Sequence, residues 1–286
     1  MVNAAKPKKV KEKGNIPVTI LLAIGALTIL FPLYLTIVIA FKSPDQMSNS
    51  AMSLLSLPTS WSLSNFKEAI ITTNFPVVLM NSLLITGFTV VFVIITNSLV
   101  AYAIARNMHK RFYKLAYMYF ISGMFVPFAI LMLPLVKQTS ILHMDNIPGI
   151  IILYVVFNMS MNTLLYVGYL KNIPIALEEA AYVDGASTWT VFWKIIFPLL
   201  KPMHATVAIM TALATWNDVM MPLVILNGND AYSMTLPMAQ LLFQTKFGTN
   251  YNVAFASYLL ALLPILIFYL FAQKWIINGV TNGAVK

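Results

Sequence analysis

The stretch LAYMYFISGMFVPFAILMLPLV, Leu115 to Val136, carries no charged side chain anywhere along its length. A helix needs about 20 mostly apolar residues to cross the hydrocarbon core of a bilayer, and this run is long enough. Outward from it the pattern recurs. Runs at roughly 16–40, 77–105, 112–136, 148–170, 203–226 and 253–277 all read as membrane helices. Composition agrees: 59% of the 286 residues are hydrophobic and 9% charged, against roughly 45–50% and 25% in soluble domains. So few charges cannot cover a soluble fold of this size. The expectation is an all-α membrane protein of six transmembrane helices, one domain over residues 1–286.

The second run lies in a charge-free stretch between Glu68 and Arg106 and carries Asn81, Ser82, Thr86, Thr96, Asn97 and Ser98. Such polarity suits a helix buried among other helices rather than one facing lipid. The first run follows a basic lead, Lys6, Lys8, Lys9, Lys11 and Lys13. Its apolar stretch of about 25 residues exceeds the roughly 7–15 of a signal-peptide core, so a retained helix is expected. The loop 41–75 contains Pro44, Pro58, Trp61 and Phe66 and reads as an irregular cap. The loop 227–252 opens on a turn, Asn227 to Asp230.

Cytoplasmic loops carry the excess of Lys and Arg. With the N-terminus inside, inner segments hold Lys6, Lys8, Lys9, Lys11, Lys13, Arg106, Lys110, Arg111, Lys114, Lys171, Lys194, Lys201, Lys274 and Lys286. Outer loops hold Lys42, Lys67, Lys137 and Lys246. Both termini are therefore expected in the cytoplasm. The net charge of +9 is spent on these short clusters, which reads as topology and not as a nucleic-acid footprint.

One inner loop, 172–202, is too long and too patterned to be a plain connector. Pro174 suits the start of a helix, Ala176 to Asp184 reads as helical, and Gly185 is a natural left-handed stop. Ser187 is placed to cap a second helix from Thr188 to about Ile196, and Pro198 and Pro202 punctuate the approach to the fifth run. Trp189, Phe192 and Trp193 would let such a hairpin lie on the membrane surface. Against that, Glu178, Glu179 and Asp184 make it acidic, which suits a basic protein groove better than an anionic lipid face. Ala180 and Ala181 leave the first helix thin enough for a partner's close approach.

Glu179-Ala180-Ala181, three residues, Gly185, nine residues, then Ile195-Ile196-Phe197-Pro198 resembles the EAA loop of ABC importer permeases, with Phe197 where leucine is usual. Phe41-Lys42-Ser43-Pro44, Thr215-Trp216-Asn217-Asp218 with Pro222-Leu223, and the tail from Gln273-Lys274-Trp275 to Gly283-Ala284-Val285-Lys286 resemble the binding-protein-dependent sugar branch. There the likeness is to the smaller, maltose-type permease, without the extra N-terminal spans of its larger partner. The resemblance implies a type I importer permease in a bacterial or archaeal cell membrane. It implies a homologous second permease forming a heterodimer, two ATPase subunits, an extracytoplasmic solute-binding protein and a sugar substrate. It implies that the hairpin, through Glu178, Glu179, Ala180, Ala181, Asp184, Gly185, Ile195 and Pro198, enters a cleft on the ATPase and transmits its motion. It also implies that the larger partner holds the sugar.

The chain has no Gly-x4-Gly-Lys-Ser/Thr phosphate loop, no His-Glu-x-x-His motif and no Gly-x-Ser-x-Gly elbow. It is expected to be no enzyme and to bind no cofactor, ATP being used by the partner ATPases. Cysteine is absent. His109, His143 and His204 are scattered and read as solvated or interfacial. Asp218 is the exception inside the membrane, about 15 residues or roughly 22 Å into the fifth run at 1.5 Å per residue. An acid there is costly and faces a partner or a wet cavity. Trp216, Asn217 and Asp218 offer the aromatic face and directional hydrogen bonds a sugar wants, but because the resemblance places the sugar in the larger partner, a polar tie between two permeases is the reading slightly preferred. A permease for another solute, such as a peptide, amino acid or polyamine, fits the same spans. A proton- or sodium-driven carrier working through Asp218 would show paired broken helices and repeats, which the sequence does not display.

Overall fold

The computed structural model describes residues 15–47, 51–226, 231–245, 248–249 and 251–284, with the backbone alone beyond Gln273. The lysine-rich lead, the 227–230 turn, Lys246 and the last two residues lie outside the described residues, as do the side chains of Lys274 and Trp275. Helix α1 (Ile16–Phe41) has Pro17 in its first turn, where a missing N–H costs nothing. Most of its large apolar side chains point away from the protein, toward what a bilayer fills with lipid.

The segment expected as an irregular cap is more ordered than that. It holds a short α2 (Ala51–Leu55) and α3 (Ser64–Thr73). Lys42 Nζ turns back to donate to the Ser53 carbonyl. Asn65 Nδ2 donates to the carbonyls of Ala40 (2.8 Å) and Lys42 (2.7 Å), and Asn252 Nδ2 donates to the same Lys42 carbonyl at 2.8 Å. Side-chain amides thus take up the last carbonyls of α1, which no further turn of helix could satisfy. Trp61 stays exposed, its ring 5.2 Å from that of Phe41. Asn74, left-handed at φ 49°, ends α3 and starts α4 (Phe75–Arg106) without a loop, a conformation asparagine tolerates better than most residues.

At about 1.5 Å per residue the 32 residues of α4 span roughly 48 Å. Of its polar residues Asn81, Ser82, Asn97 and Ser98 are buried, as is Thr89, while Thr86 and Thr96 are half-buried. Asn81 Nδ2 reaches the carbonyls of Ala231, Tyr232 and Met234 at 2.8–3.1 Å, and Ser82 Oγ accepts from the Leu236 N–H at 2.8 Å. These bonds hold the 231–239 segment against α4.

The run 112–136, charge-free over most of its length, is not one helix. It is α5 (Arg111–Ser122), a tight turn Gly123–Phe125, and α6 (Phe128–Ile141), bent by 105°. Pro127 disfavours helical geometry at the residue before it, and Val126 is accordingly extended. A Cβ on Gly123 would lie 2.6 Å from Ser160 Oγ, so a larger residue there would need that hydroxyl to turn away.

Helix α7 (Ile147–Leu170) is capped by Asn146, whose side chain accepts from the Gly149 N–H at 2.9 Å. Then come α8 (Ala176–Val183), α9 (Thr188–Leu199, with a π-turn at Phe192–Ile196) and α10 (Lys201–Asn217). The chain continues through α11 (Met220–Ile225), α12 (Leu236–Ala239) and α13 (Tyr251–Ala284). Residues Gln244–Thr245 and Gly248–Thr249 pair as a two-residue ladder.

Helices α4, α7 and α10 form the central trio; α1 packs on α13, which leans on α10 and α3. An apolar core at the hairpin end gathers Tyr166, Leu170, Phe192, Ile196 and Leu200; another at the far end gathers Ile85, Ile150, Met221 and Ile225. Among the described residues four helices are long and apolar enough to cross a membrane, and six crossings result when each of two bent pairs counts as one. The second pair, α9 with α10, turns by 73° between Pro198 and Pro202. The fifth run, expected as one helix over 203–226, is α10 and α11 with a break at Asp218.

Candidate functional site

The hairpin is built by its caps. Gly185 sits at φ 82°, its N–H donating to the Tyr182 carbonyl at 3.0 Å, while the Ala186 N–H donates to the Ala181 carbonyl at 2.9 Å. This pair of bonds closes α8 in the left-handed glycine turn that the sequence indicated. Ser187 Oγ then accepts from the Thr190 N–H at 3.2 Å and opens α9. Outward the hairpin shows Ile175, Leu177, Tyr182, Trp189 and Val183, the last 87% exposed, beside Glu179, Ala180 and Asp184. Pro198 is exposed, Ile195 half-buried and Ala181 buried.

Glu178 departs from the expected acidic face. It is 3% exposed. Its Oε1 meets Arg106 Nε at 2.6 Å and its Oε2 accepts from the Tyr102 hydroxyl at 2.7 Å. Arg106 also donates to the carbonyls of Leu170 (3.1 Å) and Ile173 (3.2 Å). One guanidinium therefore fastens the end of α4, the end of α7 and the start of the hairpin. Because it is already paired inside the chain, Glu178 presents no charge to a docking surface; Glu179 and Asp184 do.

His204 is another correction. It is buried, with Nε2 3.0 Å from the Phe197 carbonyl and Nδ1 2.8 Å from the Tyr166 hydroxyl. A carbonyl only accepts, so Nε2 carries the proton and Nδ1 accepts from the tyrosine. The ring ties the second hairpin helix to α7 and α10.

At the far end, α10 stops at Asn217 and Asp218 is extended. Its Oδ1 accepts from the N–H groups of Met220 (2.9 Å) and Met221 (3.4 Å), capping α11, and its Oδ2 accepts from the Tyr154 hydroxyl at 2.9 Å. The interruption leaves a cavity of about 360 Å³ lined by Tyr154, Phe157, Asn158, Asn217, Asp218 and Met221, among others. Trp216, expected to flank Asp218 as a sugar platform, is 6% exposed and packs with Val78, Met234 and Leu236 instead. Consecutive residues on a helix point about 100° apart, which turns Trp216 into the core while Asn217 stays exposed. Among the described residues no group of three His, Asp or Glu side chains is placed to hold a metal ion.

Residues 97–282 match the family described as the binding-protein-dependent transport system inner membrane component. The chain belongs to that family. It is 40% identical to the multiple sugar-binding transport system permease protein MsmG of Streptococcus mutans, over 93% of this chain and 95% of that one. It is 35% identical to the probable starch degradation products transport system permease protein AmyC of Thermoanaerobacterium thermosulfurigenes, over 89% and 91% of the two. Its fold is shared with a bacterial ABC transporter involved in importing the acidic polysaccharide alginate, with a TM-score of 0.78 over 95% of this chain and 99% of that one, at 23% identity.

The permease is thus a multi-pass membrane protein and a transport component. Its hairpin and the Asp218 break both lie inside the matched residues. Arg106 was read from the sequence only as a topology charge, and Tyr102, Tyr154, Phe157 and Asn158 were not picked out at all. Tyr154, Asn158, Asn162 and Tyr166 recur every fourth residue on α7, a polar stripe at helical spacing that marks a face turned inward.

Proposed function

We propose that this permease is the membrane-spanning half-channel of an ATP-driven, binding-protein-dependent importer of sugars, oligosaccharides in particular. The observation that carries this reading is the near full-length likeness to permeases named for sugar transport. A second, homologous permease completes the channel, two separate ATPase subunits hydrolyse ATP, and a solute-binding protein delivers the sugar; this chain holds no cofactor. Transport proceeds by alternating access, with ATPase closure moving the hairpin. Glu179 pairs with a basic group in the ATPase cleft, Val183, Tyr182 and Trp189 fill its apolar part, and both termini face the cytoplasm. The exposed apolar and acidic surface of the hairpin supports this docking.

The test is sugar uptake and ATPase activity stimulated by loaded binding protein, both in proteoliposomes. Gly185→Val opposes the left-handed turn by on the order of 1–2 kcal/mol, with open space around it and hence no clash. It is expected to leave the permease inserted and to uncouple hydrolysis from uptake. Glu179→Lys should do the same, more severely at low salt where screening is weaker. Wild-type uptake and hydrolysis in both variants would remove the hairpin as the coupling element.

A further inference from the structure

We infer that the break between α10 and α11 is a glycosyl subsite belonging to this permease itself, in which one sugar unit lies against Phe157 and donates its hydroxyls to Asn158, Asn217 and Asp218. The inference rests on the sugar reading above and adds where, in this chain, the sugar is held.

The donor and acceptor count points to the ligand. Asn158 Nδ2 donates to the Tyr154 carbonyl and Asn217 Nδ2 to the Leu213 carbonyl, each at 2.8 Å. A carbonyl only accepts, so the NH₂ of each amide faces its own helix and each Oδ1 points away from that bond. Asp218 Oδ1 is engaged by two N–H groups, and Oδ2 by one hydroxyl, which leaves Oδ2 acceptor capacity. The polar part of the wall is therefore rich in acceptors. A neutral polyol, with a hydroxyl on nearly every carbon, is a matching donor, whereas an anion would be repelled.

The apolar part separates a sugar from a small cation. Phe157, Ala214 and Met221 line the same cavity. A ring, a methyl and a thioether supply none of the oxygen ligands a hard cation takes, but they match the C–H face of a pyranose. The cavity of about 360 Å³ falls within the roughly 300–1,000 Å³ usual for small-ligand sites. Its location is also apt, between α7 and the interrupted α10, two helices of the central trio. An unbroken helix would pair those backbone N–H groups and leave Asp218 no capping role.

The experiment uses the whole transporter, with second permease, ATPases and binding protein, in proteoliposomes. The probes are maltotriose, raffinose and arabinotriose. The chain has no cysteine of its own, so the thiol introduced by Asn217→Cys is its single alkylation site, followed by mass on this subunit. Sugar is expected to slow alkylation by N-ethylmaleimide. Asn158→Ala is expected to cut uptake about fivefold, which is about 1 kcal/mol at 1.4 kcal/mol per tenfold, with all subunits still co-purifying. Thr211→Val, buried on α10 and not in the cavity wall, should import at the wild-type rate. If the transporter imports sugar while alkylation is indifferent to it and Asn158→Ala transports normally, the subsite is wrong and the sugar reading stands. Loss of the second permease from either cavity variant would make the cavity a subunit interface, and protection by sodium in place of sugar would make it a cation site; each overturns the proposal. A wild-type assembly that imports an amino acid or peptide and none of the sugars would overturn the sugar reading, and the subsite with it.

Discussion

Two carboxylates of this permease each accept a hydrogen bond from a tyrosine of the central trio, Glu178 from Tyr102 at 2.7 Å and Asp218 from Tyr154 at 2.9 Å. Their settings differ in what answers the charge. Glu178 also borders a cavity, of about 760 Å³ with Tyr102, Arg106 and Trp189 in its wall, but it is buried against a guanidinium that also holds two carbonyls, so its charge is answered. Asp218 faces backbone N–H groups at a helix break and borders a cavity. The first arrangement is a strut that ties the hairpin to two spans. The second leaves polar capacity unused, and unused polar capacity beside a cavity is what a binding surface needs.

The strut is where substitution should hurt most. Arg106→Met leaves Glu178 buried without its counter-charge, which costs about 3–5 kcal/mol in comparable pairs. The detergent-purified transporter should lose several degrees of thermal stability, and Arg106→Met with Glu178→Leu should recover a large share, since an apolar pair of similar volume is often neutral. Equal stability of the wild type and Arg106→Met would reduce the strut to an incidental contact.

Asp218→Leu should be milder for stability and worse for transport. It removes the cap of α11, about 0.5–2 kcal/mol, and the acceptor for Tyr154. Uptake should fall while the complex still purifies, and Asp218→Asn, which can keep the cap, should lie between. Full uptake in Asp218→Leu would show that this carboxylate is structural alone, and the contrast with Glu178 would collapse.

The smallest perturbation sharpens the geometry of the comparison. Ala180→Cys changes an exposed side chain and is expected to leave stability and transport at wild-type levels. An impermeant maleimide should label it from the cytoplasmic side only, and bound ATPase should shield it. Labelling from outside intact cells would invert the proposed topology.

The turn and caps of the hairpin were legible because they are local. Gly185 and Ser187 act on backbone groups within three or four positions of themselves, so spacing alone carries the information. The run 112–136 shows the limit of that legibility. Hydropathy records where a side chain is comfortable and does not record direction, so Gly123 and Pro127 bent an apolar stretch by 105° without altering its composition. Glu178 and Glu179 are neighbours with the same chemistry, yet one is inward and paired and the other outward, because Arg106 stands 72 residues away.

By itself the sequence determined that this chain is helical, belongs in a bilayer, has six apolar runs and carries a capped hairpin between the fourth and fifth. Those properties follow from apolar content and from caps that satisfy nearby backbone groups. The tertiary structure decided which polar groups are answered. Glu178 found Arg106, His204 found Tyr166 and Phe197, Trp216 turned into the core, and Asp218 was left beside Asn158, Asn217 and Phe157 at a helix break. Hydrogen bonds and ion pairs act over about 3 Å, between residues that only the packing of α4, α7 and α10 brings together.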